Sequence, residues 1–162
     1  MPRSGSRPPS DGVSLDSDAG LAESRPDWHD RPMTRFTIDA AVALRLIRSD
    51  VPPGSQHQLV APAGLRSAVL ALLYREVRAG LLEDAAARQQ LDALAGLKIR
   101  LLADRVSRST AWKIATDLGW DDIGPAEYLA VARLQADALV TEDERLVAQR
   151  LVPIAAYDDL FR

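Results

Sequence analysis

The sequence predicts an α/β domain, a layered sandwich built around a mainly parallel β-sheet. Short buried-type apolar segments recur along the chain, and segments with helical spacing of apolar residues lie between them. Strands that alternate with helices in this way usually pair in parallel, because each helix returns the chain to the same end of the sheet. The composition agrees, since 47% of the 162 residues are hydrophobic and 27% are charged, as in globular domains.

Residues 1–32 differ from the remainder of the chain. Five of the ten prolines lie there, and large apolar side chains are few. Such a segment buries too little apolar surface to offset the entropy that it would lose on ordering. We therefore expect a disordered N-terminal extension over 1–32 and a folded α/β domain over 33–162, with Met33 as an alternative start of translation.

The predicted domain begins with a strand over residues 34–38, and the helix-forming segment AAVALRLI follows at 40–47. Asp39 closes the strand. After a proline-containing break, HQLV at 57–60 predicts a second strand, and residues 63–79 form an amphipathic helix. The domain thus begins with a strand, a helix and a second strand, the order that connects neighbouring parallel strands.

Glu76 falls on the apolar face of the 63–79 helix. A carboxylate in that position requires either a site or a partner, because an unpaired buried charge is costly. We keep Glu76 as a supporting site candidate. The alternative is an ion pair with a basic side chain of another element.

The second half of the chain continues the alternation of strands and helices. The predicted elements are a helix over 83–97, a strand over 98–102, a helix over 104–118, a helix that begins at Pro125, a strand over 138–140, a short helix over 144–150 and a last strand over 152–156.

Basic side chains recur on related faces of the 104–118 helix, at Arg105, Arg108 and Lys113. A solvated helix face is the default interpretation, and the same three side chains are the best candidates for contacts with phosphate groups. Trp112 of this helix is expected in the core rather than on the surface as a platform for base stacking.

Two predicted strands end in aspartate, at Asp39 and at Asp143. In parallel sheets ligands bind outside the carboxyl ends of the strands, although aspartate is also an ordinary turn residue. Neighbouring carboxylates either repel each other or share a cation. The pair therefore indicates a site for a divalent cation.

Other chemistries lack their motifs. The sequence has no P-loop, no GxGxxG and no GxSxG, it has no cysteine, and its two histidines cannot form a zinc cluster or a Ser-His-Asp triad by themselves. The remaining interpretation is a site in which carboxylate oxygens bind a hard cation such as Mg²⁺ or Mn²⁺. Cysteine-free composition suits a cytoplasmic protein, no apolar run approaches the ~18 residues of a membrane span, and the net charge of −3 by itself gives no argument for nucleic-acid binding.

Three segments resemble the PIN domains of VapC-type toxins. They are TIDAAVAL near the start of the domain, LRSAVLALLYR in its centre and AEYLAVARLQADALVTEDERL near its end, the last being the most specific. The resemblance runs from about Met33 to the carboxyl terminus. It implies a three-layer α/β/α sandwich around a mainly parallel sheet and an Mg²⁺- or Mn²⁺-dependent endoribonuclease, commonly a homodimer that a cognate antitoxin inhibits.

The resemblance assigns roles to individual residues. Asp39 matches the first acidic ligand of the family, and Asp143 matches the acid of its T-x-D motif, with Thr141 as the polar companion. Two positions depart from the pattern, because Ala68 and Pro125 stand where the family has acids. Asp39 and Asp143 are thus the predicted catalytic metal ligands, and two of the usual four acids are missing.

Nearby acids could compensate in part. Asp122 approaches the helix start at Pro125 and is our preferred third metal ligand, with Asp121 beside it. Glu127 lies about 200° round the helix from Pro125 and is either a supporting residue or a helix cap. Glu76 lies ~12 Å along its helix from the Ala68 position, too far to replace an acid there directly. Arg105, Arg108 and Lys113 are the candidates for binding the RNA backbone.

Two functional hypotheses follow. The first is a toxin-type, metal-dependent endoribonuclease whose activity the substitutions at Ala68 and Pro125 could reduce. The second is a catalytically degenerate PIN module that acts by binding a protein partner or RNA. A plain α/β interaction domain, in which the acidic strand ends are only turns, is a third and less favoured interpretation.

Overall fold

The structure is a computed structural model, and it describes residues 30–162. Most of the extension that the sequence predicts to be disordered, residues 1–29, lies outside the described residues. No helix in the described part of the chain is both long and apolar enough to cross a membrane.

Five strands and six α-helices alternate along residues 30–162, in the order that the sequence predicts. The strands are β1 (Thr34–Ile38), β2 (His57–Pro62), β3 (Ile99–Leu102), β4 (Ala138–Val140) and β5 (Ile154–Ala155). The helices are α1 (Ala40–Ile47), α2 (Leu65–Arg78), α3 (Asp84–Gly96), α4 (Arg105–Leu118), α5 (Gly124–Gln135) and α6 (Glu144–Ala148), and a 3-10 helix (Tyr157–Phe161) follows β5.

The strands form one five-stranded sheet in the order β3-β2-β1-β4-β5, and every pair is parallel. One core cluster packs strand side chains such as Phe36 and Ile38 against α1, α2 and α3. A second cluster packs Leu139 of β4 against α4 and α5 on the opposite face. The predicted three-layer α/β/α sandwich around a parallel sheet is therefore confirmed.

The position of β1 in the middle of the sheet sets up the candidate site. β1 pairs with β4 so that Ile38 lies beside Val140. The residues that follow the two strands, Asp39 and Thr141, are consequently brought together at the same end of the sheet. Two segments separated by about a hundred positions in the sequence thus converge through the pairing of one short strand.

Local sequence signals explain how several of the helices begin and end. Asp104 precedes α4, and its carboxylate accepts hydrogen bonds from the backbone N–H and the hydroxyl of Ser107. Gly119 ends α4 with a φ of +66°, in the left-handed region that favours glycine. Pro125 lies in the first turn of α5, where its missing N–H has no helical acceptor to lose.

The prediction that Trp112 lies in the core is wrong, because its side chain is 70% exposed. Helix α4 packs on α5 through its opposite side, which carries Ala111, Ile114 and Ala115. Helices that meet through small side chains approach closely, and here the large indole is directed to the solvent instead. The apolar residues of this helix therefore do not all share one face.

Candidate active site at the carboxyl ends of two strands

A cleft of about 500 Å³ lies at the carboxyl ends of β1 and β4. Residues from the start of α1, from α2, from the start of α5 and from the start of α6 line it. Its volume is in the range of clefts that bind small ligands or parts of larger substrates. This end of a parallel sheet is also where ligands are expected.

Asp39 forms the floor of the cleft and is only 7% exposed. One carboxylate oxygen accepts a hydrogen bond from the backbone N–H of Val42 at 2.8 Å, so Asp39 caps helix α1. The other oxygen accepts the hydroxyl of Thr141. Burial raises the pKa of Asp39 above its ordinary value against the effect of these two hydrogen bonds, and the charge of Asp143 raises it further.

Thr141 connects the two candidate catalytic residues. It directly follows β4 and is buried. Its hydroxyl donates to Asp39 and accepts a hydrogen bond from the backbone N–H of Asp143 at 3.0 Å. A single hydroxyl group therefore sets the spacing between the segments that carry Asp39 and Asp143.

Asp143 also lines the cleft, and its side chain is 31% exposed. It caps α6 by accepting the backbone N–H of Arg145 at 2.9 Å. The guanidinium of Arg145 binds the same carboxylate, with the Nη2–Oδ2 distance at 2.9 Å. This hydrogen bond is the main cause that lowers the pKa of Asp143, so the less buried carboxylate of the pair is the more readily ionised one.

Of the predicted third metal ligand, Asp122, and the two predicted supporting acids, Glu76 and Glu127, the structure brings only Asp122 into the cleft. Asp122 lines it, and one of its carboxylate oxygens accepts the backbone N–H of Gly124 at 2.9 Å. Glu76 lies outside the cleft lining and forms an ion pair with Arg48, the alternative that the sequence left open. Glu127 is half-buried in the first turn of α5 and does not line the cleft either.

The two substituted positions lie in the wall of the same cleft. Ala68 and Pro125 both line it, together with Leu72 and Leu146. The wall of the cleft is therefore apolar at the two positions where the family resemblance implies acidic side chains. Tyr128 completes this wall, and burial raises the pKa of its phenol, with a further contribution from the charge of Asp39. The phenol therefore stays protonated at neutral pH and can donate a hydrogen bond.

The cationic side chains in the cleft are Arg75 of α2 and Arg145 of α6. Sequence reasoning missed both as site residues, and it also missed Tyr128. The predicted phosphate contacts on α4, Arg105, Arg108 and Lys113, do not line the cleft. Lys113 forms an ion pair with Asp117 one turn further along α4.

The sequence contains a partial signal for the residues that it did not identify. Arg145 lies two positions after Asp143, close enough in a helix start to contact the same carboxylate. Arg75 ends the segment LRSAVLALLYR that carries part of the family resemblance. Nothing in the sequence shows which flank of that helix faces the cleft, so the role of Arg75 depends on the packing of α2.

The donor set fits a weakly held divalent cation. Mg²⁺ usually keeps several waters and binds proteins through one or two carboxylates, and Asp39 and Asp143 supply two. The charge of Asp143 contributes to the raised pKa of Asp39, and a cation bound near both carboxylates would offset this repulsion. Within residues 30–162, no group of three or more His, Cys, Asp or Glu side chains is arranged to hold a metal ion, so Asp122 does not complete a three-acid centre in this arrangement.

The fold is similar to those of solved structures. PAE2754 from Pyrobaculum aerophilum matches with a TM-score of 0.58 and 20% sequence identity, over 75% of this chain and 89% of that chain. A chain of VapBC2 from Rickettsia felis, solved bound to a DNA fragment from their promoter, matches with a TM-score of 0.54 and 8% identity, over 75% of this chain and 98% of that chain. No protein-family model and no curated protein sequence matches the chain. The structural similarities confirm the predicted PIN-like, VapC-like fold.

Proposed function

We propose that this chain is an Mg²⁺- or Mn²⁺-dependent endoribonuclease and acts as the toxin of a toxin–antitoxin pair. The observation that carries the proposal is the meeting of Asp39 and Asp143 in one cleft, with Thr141 hydrogen-bonded to both segments. A divalent cation bound by two such carboxylates activates water and stabilises charge on a phosphate group. In this proposal the phosphate group belongs to the backbone of the RNA substrate.

The residues of the chain have separate roles in this proposal. Asp39 and Asp143 would hold the cation. Arg75 and Arg145 lie in the cleft, where a guanidinium group can donate paired hydrogen bonds to phosphate oxygens. Tyr128, whose raised pKa keeps its phenol protonated, is available as a neutral donor beside Asp39.

We also propose partners for the chain. Its structural neighbour VapBC2 from Rickettsia felis was solved on a fragment of promoter DNA, and by analogy an antitoxin-type protein would bind and inhibit this chain. A homodimer is proposed on the same family resemblance.

A second candidate function is a PIN module that binds RNA or a protein without cleaving RNA. Two observations favour it. Ala68 and Pro125 place apolar side chains in the cleft at positions where the family resemblance implies acids. The described residues also contain no cluster of three candidate metal ligands. Weak metal binding and poor orientation of the cation would lower the rate of cleavage.

Cleavage of structured RNA in the presence of Mn²⁺ tests the proposal. We expect the wild-type chain to cleave only with added divalent metal, and we expect Asp39→Asn and Asp143→Asn each to abolish cleavage without unfolding the protein. Asp92→Asn is the matched control, because Asp92 is exposed on α3 outside the cleft lining. Wild-type cleavage rates in both cleft variants would contradict the assignment.

A second pair of substitutions distinguishes the two candidate functions. Ala68→Glu with Pro125→Asp restores acids to the two apolar positions of the cleft wall. If the wild-type chain does not cleave and the restored chain does, the chain is a binding module derived from a nuclease. If both cleave and the restored chain is faster, the chain is a nuclease of reduced activity.

A further inference from the structure

The guanidinium group of Arg145 is paired with a candidate metal ligand inside the cleft. Its Nε and Nη2 atoms donate to the two oxygens of the Asp143 carboxylate, with the Nε–Oδ1 distance at 3.3 Å and the Nη2–Oδ2 distance at 2.9 Å. Paired hydrogen bonds of this kind are the strong ones between arginine and a carboxylate. Both oxygens that could bind a cation therefore already contact a positive group of the same chain.

The neighbouring acids of the cleft do not share this partner. Glu142, the residue before Asp143, lines the cleft and pairs with Arg45 of α1. Asp122 also lines the cleft, and it forms no ion pair within residues 30–162. The ion pair of Arg145 is thus made with the one exposed-side carboxylate that the proposed cation would use.

Arg145 also lies within electrostatic reach of Asp122. The hydrogen bond with Asp143 is the main cause that raises the pKa of Arg145, the charge of Asp143 is the second cause, and the charge of Asp122 adds to them. Arg145 therefore offsets part of the negative charge that would attract a divalent cation to the cleft.

We propose that Arg145 is the built-in counter-ion of the metal-free site and competes with the divalent cation for the carboxylate of Asp143. The inference rests on the proposed function, since it takes Asp39 and Asp143 as the residues that would hold the cation. It adds a regulatory contact. Arg145 sets the metal concentration at which the cleft fills, and the chain with the paired Arg145 is the inactive form.

The pairing also predicts an order of binding in the cleft. The Nε–Nη2 edge of Arg145 cannot bind Asp143 and a substrate phosphate at the same time. The side chain of Arg145 is 67% exposed, so it can turn away from Asp143 into the solvent without a change in the backbone of α6. This edge of Arg145 becomes available to a phosphate group once Asp143 has exchanged the guanidinium for the cation.

The side-chain pairing is separable from the cap of α6. The cap uses the backbone N–H of Arg145, which donates to Asp143 at 2.9 Å and is still present when the side chain is shortened. Arg145→Ala therefore removes the guanidinium group and keeps the start of the helix. If the pair were only a surface contact without a role at the site, the same variant would leave metal binding unchanged.

Titration with Mn²⁺ tests the proposal without depending on activity. Electron paramagnetic resonance measures the free Mn²⁺ and so gives the dissociation constant at fixed pH and ionic strength. We expect Arg145→Ala to bind Mn²⁺ about fivefold more tightly than the wild type, the upper range for the loss of one exposed ion pair. Arg145→Lys keeps the charge without the paired geometry, and its affinity should lie between the two.

Arg75→Ala is the matched control. Arg75 lines the same cleft, carries the same charge and forms no ion pair within residues 30–162. A general loss of positive charge would act in both alanine variants, whereas the release of Asp143 acts only in Arg145→Ala. We expect the affinity of Arg75→Ala for Mn²⁺ to change less than about twofold, because solvent and salt screen its charge. Thermal melting of each metal-free variant checks that the fold is retained.

The outcomes separate this inference from the proposed function. Equal affinities of Arg145→Ala and the wild type, or an equal gain in Arg75→Ala, would overturn the role of Arg145. A chain that cleaves RNA with Mn²⁺ while Arg145→Ala binds the ion no better keeps the nuclease and removes the counter-ion. A chain that never cleaves but gains affinity in Arg145→Ala alone keeps the counter-ion and removes the nuclease. No binding of Mn²⁺ by either protein removes both.

Discussion

At the scale of single residues, Asp39 serves two roles that have opposite effects on stability. Its carboxylate caps α1 and accepts the Thr141 hydroxyl, which stabilises the fold. Its burial raises its pKa, so the ionised form is disfavoured in the folded protein. The unfolded chain ionises at the ordinary pKa, and the folded protein ionises only at a higher pH. The folded protein therefore loses stability as the pH rises from the ordinary pKa of Asp39 in the unfolded chain through its raised pKa in the folded protein.

This linkage predicts the effect of Asp39→Asn on stability. Asparagine is a good helix cap and carries no charge. In metal-free buffer we expect the variant to have a higher melting temperature than the wild type at pH 7. The difference should widen from pH 4 upwards through the raised pKa and then become constant. Calorimetry across this pH range measures it, and a wild type that is the more stable protein at pH 7 would contradict the account.

The sequence alone identified Asp39 and Asp143 as a pair of site residues, but it did not identify the arginine side chains beside them. Asp39 and Asp143 could be identified because Asp39 directly follows β1 and Asp143 lies three residues after the end of β4, and strand ends in a parallel sheet share one edge. Arg75 and Tyr128 reach the cleft only because of how α2 and α5 rotate against the sheet. That rotation is fixed by packing between residues far apart in the sequence, so the local pattern does not reveal it.

At the scale of elements, capping residues determine where the helices end. Gly119 ends α4 with a positive φ, and the next residue, Trp120, turns back to hydrogen-bond Ala115 at 2.9 Å. An L-residue with a side chain is strained in this conformation, whatever space is available around it. This glycine is therefore part of the turn that leads towards Asp122 and the cleft.

Gly119→Ala is expected to destabilise the protein by about 1 kcal/mol through this strain. Gly96→Ala is the matched control, because Gly96 ends α3 without a positive φ and has no atom within 4 Å of an added Cβ. The control should be neutral or slightly stabilising. Urea denaturation of the two variants compares them, and equal midpoints would show that the conformation of Gly119 carries no strain.

The elements themselves were largely predictable from periodicity. All five strands and six helices occur where apolar spacing places them, although β5 covers only Ile154–Ala155 of the predicted 152–156 segment. The exposed Trp112 is the exception. Its helix has apolar residues on more than one side, and the choice of the inner side depends on the small residues of α5 that pack against it. Spacing within α4 alone does not contain that information.

At the scale of the whole molecule, the order of the strands creates the candidate site. The order β3-β2-β1-β4-β5 places the first strand of the domain in the middle of the sheet, beside a strand from near the carboxyl terminus. Periodicity predicts the strands but not this order, and the family resemblance as stated implied only a mainly parallel sheet between two layers of helices. Asp39 and Asp143 owe their proximity to this topology, and so does the position of α2 along the rim of the cleft.

The central claim is that Asp39 and Asp143 bind one divalent cation between them. Anomalous diffraction from crystals soaked in Mn²⁺ tests it most directly, because it locates the ion without depending on activity. We expect one manganese peak at direct bonding distance from a carboxylate oxygen of each residue, displacing the guanidinium of Arg145 from Asp143. A map at saturating Mn²⁺ with no peak between the two carboxylates, or with manganese only elsewhere on the protein, would contradict the account.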